Sequence, residues 1–290
     1  MQDPIKKVAA IHDLAGFGRS SLCAVIPTLS AMGVQVCPIP TAVLSTHSGG
    51  FTGYTFHDLT DYMTDHIAHW KQLGLTFDCI YSGFLGSPRQ IEIVMEVIDD
   101  FRRPDTLVVV DPVLGDDGSL YSSIPESMVE EMRRLIAKAD IIVPNYTEAA
   151  RLLGRPQPEN LPRQEVRAWL RALSDMGPGT VLMTSAPDRE HPEMVNVAAY
   201  QRSTDSYWKV ATRRLPDSYP GTGDTFASVM IGGLMQGDSL PASIDRAVQF
   251  ISHCIQASCV YDYPHRDGVL LERELPLLRG DLPAGRVEEL

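Results

Sequence analysis

The most constraining feature of this chain is a strict alternation of short apolar runs with helical stripes, sustained from residue 7 to about residue 190. Residues 7–12, 34–39, 79–81, 106–110, 141–143 and 181–184 read as buried strands. Between them, apolar residues recur at helical spacing. Leu22, Val25, Ile26, Leu29 and Met32 are stopped by Gly33, and Leu59, Met63, Ile67 and Trp70 by Gly74. Ile91, Val94, Ile98 and Phe101 follow, then Met128, Met132, Leu135 and Ile136, then Val166, Trp169, Leu170 and Leu173. Strands spaced by helices must run parallel, because the crossover uses up the return path. The pattern therefore predicts an α/β fold with a mostly parallel sheet and helices on both faces. After residue 190, residues 195–200 and 207–210 flank a polar turn and predict an antiparallel hairpin, and two helices follow over 223–236 and 241–260. With no repeat and no long linker, residues 1–290 read as a single domain whose polar tail, from about Pro276, is peripheral.

Composition removes several function classes. A formal net charge of −12 lacks the basic footprint that nucleic acid requires. No apolar run is long enough to span a membrane, and residues 1–7 do not resemble a signal peptide. The five cysteines are scattered without a C-x-x-C pair, which argues against a zinc site or a disulfide framework and fits a cytoplasmic setting. None of this excludes an anionic small molecule, since a nest of backbone N–H groups can override the global charge.

Residues 217–226, D-S-Y-P-G-T-G-D-T-F, carry the chemistry. Gly221 and Gly223 allow a tight turn whose N–H groups converge, and the apolar-periodic run from Phe226 places a helix start there, which is an anion site. Asp224 in the first helical turn is poorly placed to hold a phosphate and well placed to take a proton from an attacking hydroxyl. A helix cap is the plainer alternative. The whole segment resembles the carboxy-terminal signature of the ribokinase (pfkB) superfamily. That resemblance implies a ribokinase-like three-layer sandwich, with Asp224 as catalytic base and Gly221, Thr222 and Gly223 as an anion hole.

Further segments narrow the branch. Residues 111–118, D-P-V-L-G-D-D-G, follow a strand, so Asp111 sits at its carboxyl end, where open sheets bind ligands; Asp117 reads as part of an Asp-Gly turn. Asn145 and Glu148 have the spacing of a capping box and also resemble the N-x-x-E motif of the superfamily. Residues 11–20 (I-H-D-L-A-G-F-G-R-S), 40–47 (P-T-A-V-L-S-T-H) and 82–87 (S-G-F-L-G-S) are similar to segments of pyridoxal kinases, the bacterial pyridoxamine kinase subgroup in particular. By this resemblance, Asp111, Asn145, Thr184 and Ser185 contact the phosphates of ATP, and Asp111 and Glu148 serve Mg²⁺. Asp13, Thr46, His47 and Phe84 line the substrate. A monovalent cation and a homodimer are further implications.

Asp13 stands where other pyridoxal kinases carry a serine, and Phe84 replaces a tyrosine. A carboxylate at Asp13 is suited to a protonated ring nitrogen or an amino group. The implied activity is ATP-dependent phosphorylation of the 5′-hydroxymethyl group of a vitamin B6 vitamer (pyridoxal, pyridoxamine or pyridoxine). A hydroxymethylpyrimidine kinase and a non-catalytic vitamer-binding protein are the alternatives. Gly16 and Gly18 imitate a dinucleotide fingerprint, but Ser21 stands where its third glycine belongs, and no acidic residue ends the second strand.

Overall fold

The computed structural model describes residues 4–215, 218–280, 285 and 287–290. Asp217, the first residue of the glycine-turn signature, lies outside the described residues. The elements run β1 (Lys7–Ala15), α1 (Leu22–Ala31), β2 (Gln35–Leu44), β3 (Phe56–Asp58), α2 (Thr60–Gln72), β4 (Cys79–Ser82), α3 (Pro88–Phe101), β5 (Leu107–Val110), β6 (Gly115–Asp116) and β7 (Ser119–Leu120). They continue through α4 (Ser127–Ile136), β8 (Ile141–Ile142), α5 (Tyr146–Leu153), α6 (Arg163–Asp175), β9 (Thr180–Ala186), β10 (Met194–Gln201), β11 (Ser206–Arg213), α7 (Thr222–Gln236), α8 (Leu240–Ser258), α9 (Leu271–Glu274) and β12 (Val287–Glu289). The chain forms two compact units, Met1–Asp78 with Leu215–Gly285, and Cys79–Arg214 with Arg286–Leu290.

In the first unit β1 and β2 run parallel, β3 pairs antiparallel with the end of β2, and α1 packs on both longer strands and on α7. Val8, Ala9, Ala10 and Ile11 are fully buried, as an unbroken apolar strand requires. β2 continues to Leu44, past the expected end at residue 39 and through Pro38 and Pro40. The Gln35 N–H bonds the O of Lys6, just before β1, so alternate N–H groups from Gln35 onward face β1. The two prolines fall on the other side, where β3 joins only at Ala42, and no ladder bond is lost. The β1–β2 register slips by one between His12–Pro40 and Leu14–Val43, so Thr41 and Ala42 together face Asp13. A bulge of this kind re-aims the side chains beside it.

In the second unit the strand order is β12-β11-β10-β9-β8-β5-β4. β4, β5, β8 and β9 are mutually parallel, and β9 through β12 are antiparallel. The expected hairpin is β10–β11, and the tail adds β12 as an exposed edge strand, with Leu278 buried before it. Sequence periodicity did not signal β3, β12 or the two-residue β6 and β7, because strands this short offer no period to read. The β6–β7 turn is Asp117-Gly118, with φ of 47° and 80°, the two positive values that a tight hairpin of this twist demands. α3 illustrates the helix chemistry. The Ser87 side chain accepts from the Gln90 N–H, Pro88 opens the helix, and Ile91, Val94, Ile98 and Phe101 are buried. Among the described residues, no helix is long and apolar enough to cross a membrane, and none of the five cysteines is in a disulfide.

Candidate active site

The candidate residues form two sets, one in each unit. In the first unit, the glycine turn delivers α7. Gly221 occupies the position before the helix with φ 79°, and a Cβ built there would stand 1.8 Å from Arg19 O, so only glycine fits. No side chain caps α7, and the Thr222 hydroxyl donates to Tyr219 O instead. The first-turn N–H groups have no carbonyl within the helix to bond and are available to an anion. This turn holds Gly221, Thr222 and Gly223, the residues that the sequence assigned to an anion hole.

Asp224 is the third residue of α7, with its side chain 15 % exposed. Burial pushes its carboxyl up to about 7; the Ser21 N–H, donating to Oδ2 at 2.8 Å, works in the opposite direction, and the Asp13 carboxylate nearby adds to the rise. The His12 Nδ1 lies 3.8 Å from Asp224 Oδ1, but burial lowers that imidazole to about 3, so it faces the carboxylate neutral rather than as an ion-pair partner. Asp13, at the bulge, is buried and likewise held above the ordinary carboxylate range by desolvation, with the Ser21 side chain acting in the opposite direction. Two carboxylates and a neutral histidine thus share one buried corner. A base poised near neutral pH beside an anion-binding turn is equipped for proton removal coupled to transfer of an anionic group.

The segment after β2 folds over glycines. A Cβ on Gly18, whose φ is 96°, would meet His47 Cδ2 at 2.2 Å, and Gly16 N–H bonds Leu44 O. These glycines admit the residue 44–47 backbone and the histidine ring, which is why they imitate a dinucleotide fingerprint without its third member. His47, expected at the substrate, has both ring nitrogens committed: Nε2 donates to Arg266 O at 2.7 Å, and Nδ1 accepts from the Gly49 N–H at 3.1 Å. It fastens the loop to residues 265–267 and has no polar atom left for a ligand. Phe51 completes the fastening, edge-on to His47 and Phe17 and under the Arg266 guanidinium. The Thr46 hydroxyl oxygen is buried and has no hydrogen-bond partner among the described residues.

In the second unit, Asn145 and Glu148 form a complete capping box on α5. Asn145 Oδ1 accepts from the Glu148 N–H, and Glu148 Oε2 accepts from the Asn145 N–H. Glu148 Oε1 also accepts from the Leu114 N–H, and Asn145 Nδ2 donates to Gly115 O, so the box pins the residue 114–116 segment to the helix. Desolvation pushes the Glu148 carboxyl up to about 8, against these N–H donors and with a small push from Asp116. Asp111 is buried just beyond β5, with its N–H on Ser82 O. Asn145 also bridges Thr184 in parallel, which brings the Thr184-Ser185 strand end beside the box. Ser185 is exposed with φ 52°, a strained value for a serine. Phe84 is half-buried in the loop after β4. Among the described residues, no group of three or more His, Cys, Asp or Glu is gathered for a metal ion. Asn145→Ala should cost about 1–2 kcal/mol of stability, because it removes the cap and frees residues 114–116 at once. Chemical denaturation checks this, and an unchanged midpoint would mean that the box is not formed in solution.

Sequence reasoning did not pick out Ser21, Phe51 or Arg266. Ser21 left a faint signal as the residue that breaks the glycine fingerprint; Phe51 and Arg266 left none, because their roles depend on a contact across more than 200 residues of sequence.

Comparison with known proteins agrees with this geometry. The family model for phosphomethylpyrimidine kinase matches residues 20–266. A Bacteroides thetaiotaomicron protein described as a phosphomethylpyrimidine kinase, crystallised in an orthorhombic form with pyridoxal, is 53 % identical, with a TM-score of 0.95 over 99 % of this chain and 100 % of its own. Pyridoxal kinase from Lactobacillus plantarum is 31 % identical, with a TM-score of 0.86 over 94 % of this chain and 96 % of its own. Pyridoxal kinase PdxY from Burkholderia lata is 27 % identical over 262 residues, covering 88 % of this chain and 89 % of its own. With its glycine turn, its first-turn aspartate and its parallel α/β architecture, the chain belongs to the phosphomethylpyrimidine kinase family, on the ribokinase-like fold that pyridoxal kinases share.

Proposed function

We propose that this protein is an ATP-dependent kinase that phosphorylates the 5′-hydroxymethyl group of a vitamin B6 vitamer. The observation that carries the reading is Asp224, a half-buried carboxylate poised near 7 in the first turn of α7 and directly after a glycine turn that only glycine can make. Ionised Asp224 takes the hydroxyl proton as the substrate oxygen attacks the γ-phosphorus. The bond to the β-phosphate bridging oxygen breaks, and ADP leaves with that electron pair. The N–H groups of Gly221, Thr222 and Gly223 stabilise charge on the transferring phosphoryl group. Asp13 offers a carboxylate to a ring N–H or an amino group, Thr46 an unsatisfied hydroxyl and Phe84 an aromatic face.

Asp111, Asn145, Thr184 and Ser185 are assigned to the nucleotide phosphates. The residues present fit a Mg²⁺ ion held mainly by phosphate and water, with Asp111 and Glu148 nearby. Both Glu148 oxygens already accept N–H bonds, and its carboxyl is pushed up to about 8, a group that a neighbouring cation would return to its charged form. When bound, the ion neutralises phosphate charge.

The pyridoxal form of the Bacteroides relative and the names of the pyridoxal kinases support the vitamer. The description of the matching family supports hydroxymethylpyrimidine as the second reading. ADP release with Mg-ATP and each of pyridoxal, pyridoxamine, pyridoxine and hydroxymethylpyrimidine separates the two. We expect turnover with the vitamers, loss of it in excess EDTA and recovery with added Mg²⁺. Turnover with the pyrimidine alone would move the protein to the second reading.

A further inference from the structure

Residues 263–268 supply no group to the proposed chemistry, yet this short loop holds three segments of the first-unit site at once. The Tyr263 hydroxyl donates to Gly268 O at 2.9 Å, and a 3₁₀ turn over His265–Asp267 ends at Gly268 with φ 82°, so the loop is closed on itself. Toward the segment after β2, Arg266 O accepts from His47 Nε2 at 2.7 Å, and the Arg266 guanidinium covers the Phe51 ring at 4.7 Å. Toward the glycines before α1, Asp267 O accepts from Arg19 Nη1 at 3.1 Å, and a Cβ on Gly268 would stand 2.9 Å from Arg19 Cβ. Arg19 O is the atom that closes on Gly221. Toward the anion turn, Tyr263 stacks on Tyr219 with ring centroids 6.2 Å apart, and His265 lies against the same ring at 4.8 Å. Tyr219 is buried, and its carbonyl accepts the Thr222 hydroxyl inside the turn itself.

The bonds to His47 and Arg19 go to neighbouring carbonyls, Arg266 O and Asp267 O, and the two rings that meet Tyr219 lie on the same closed loop. A movement of the loop that opens one of these contacts therefore strains the others. We propose that Tyr263 and His265 are positioning residues for the transfer step: they act through Tyr219 on the anion turn and through Arg266 O on His47. A ligand that settles the segment after β2 then also settles the N–H groups of Gly221, Thr222 and Gly223. The inference rests on the roles proposed above for that turn and for the vitamer. Gly49, whose Cβ would lie 3.4 Å from Pro220 Cγ, gives the two segments a direct contact as well, so the loop carries part of the coupling and not all of it. Such coupling is reciprocal: a bound vitamer tightens the phosphoryl site, and the nucleotide tightens the vitamer site by the same factor.

The double variant Tyr263→Ala with His265→Ala removes both rings and leaves Tyr219, His47 and Arg19 in place. In wild type, saturating pyridoxine should tighten binding of the non-hydrolysable β,γ-imido analogue of ATP about tenfold, an ordinary scale for coupling between two sites. In the double variant that factor should fall to about twofold, the share left to Gly49 and Pro220, with the Kd for pyridoxine alone within about twofold of wild type. Tyr263→Phe keeps the stacking ring and should keep the full factor. A merely structural loop would lower the folded fraction, which leaves both dissociation constants and their ratio where they were. No coupling in wild type, or the full factor in the double variant, would overturn the proposal. Hydrogen exchange of the ligand-free proteins reads the same link without a ligand. The Gly49 N–H, bonded to His47 Nδ1, should exchange about tenfold faster in the double variant, while the β1 amides of Val8–Ile11 keep their protection. Gly49 protection equal to wild type would also overturn the proposal. Tyr263→Leu, which keeps apolar bulk without a ring, takes the same measurements should the double variant not fold. A wild-type protein that binds neither pyridoxine nor the nucleotide analogue would count against the function proposed above, and hydrogen exchange would still decide the role of the loop.

Discussion

Replacing Asp224 with asparagine should lower kcat by about a thousandfold, the usual scale for loss of a general base, while making the ligand-free protein more stable at pH 8. Both effects come from the same burial. Desolvation holds the carboxyl at about 7, well above its unfolded value. A group whose folded value is raised contributes stability that is fully present below the unfolded value and is lost as pH rises through the folded one. Wild type should therefore lose stability between about pH 4 and pH 8 in part because Asp224 is forced to ionise where it is poorly solvated. Asparagine keeps the shape without the charge and should recover about 2 kcal/mol at pH 8. At pH 4 the difference should vanish or reverse. Thermal unfolding at the two pH values, beside ADP release, reads both arms. A variant that is equally active, or less stable than wild type at pH 8, would remove Asp224 from the role given to it. The same carboxylate should place an acid limb near pH 7 in the kcat/KM profile of wild type.

Gly221→Ala should have the second largest effect. The added Cβ would enter Arg19 O at 1.8 Å, and the backbone φ of 79° is itself unfavourable for alanine. A backbone oxygen cannot rotate out of the way, so the turn must open, at a cost of about 3 kcal/mol or more, and the anion hole goes with it. Activity should fall at least about a hundredfold, as when a transition-state donor is lost. Gly223→Ala is the matched control. No atom lies within 4 Å of its Cβ, and it sits inside the first turn of α7, where alanine is a better helix former than glycine. Its stability should stay within about 1 kcal/mol of wild type, so any loss of activity there reports on the anion site and not on folding. Equal destabilisation by the two alanines would contradict the close approach of Arg19 to the turn.

The contrast between these two glycines also marks what the sequence could and could not disclose. The strand–helix alternation, the hairpin and the glycine turn before α7 were legible because each rests on local spacing. Sequence could not say which glycine is indispensable, because the reason lies in Arg19, some 200 residues earlier in the chain. His47 was a candidate ligand for the same reason in reverse: an isolated histidine shows its chemistry but not its partners, and here Arg266 O and the Gly49 N–H occupy both nitrogens. Asn145 and Glu148 were legible twice, as a capping box and as an acidic motif, and in the formed box only the remaining lone pairs of the Glu148 carboxylate are left to face a cation. Asp13 could be named as an unusual carboxylate, but its bulge and its burial arise only when β1 and β2 are brought together.

The central claim is that the γ-phosphoryl group of ATP moves to a hydroxymethyl oxygen. Phosphorus-31 NMR of the products formed from Mg-ATP and pyridoxine tests it most directly. The account predicts a phosphomonoester resonance coupled to methylene protons, growing in step with ADP and absent with Asp224→Asn. Inorganic phosphate growing in step with ADP and no ester resonance would contradict it.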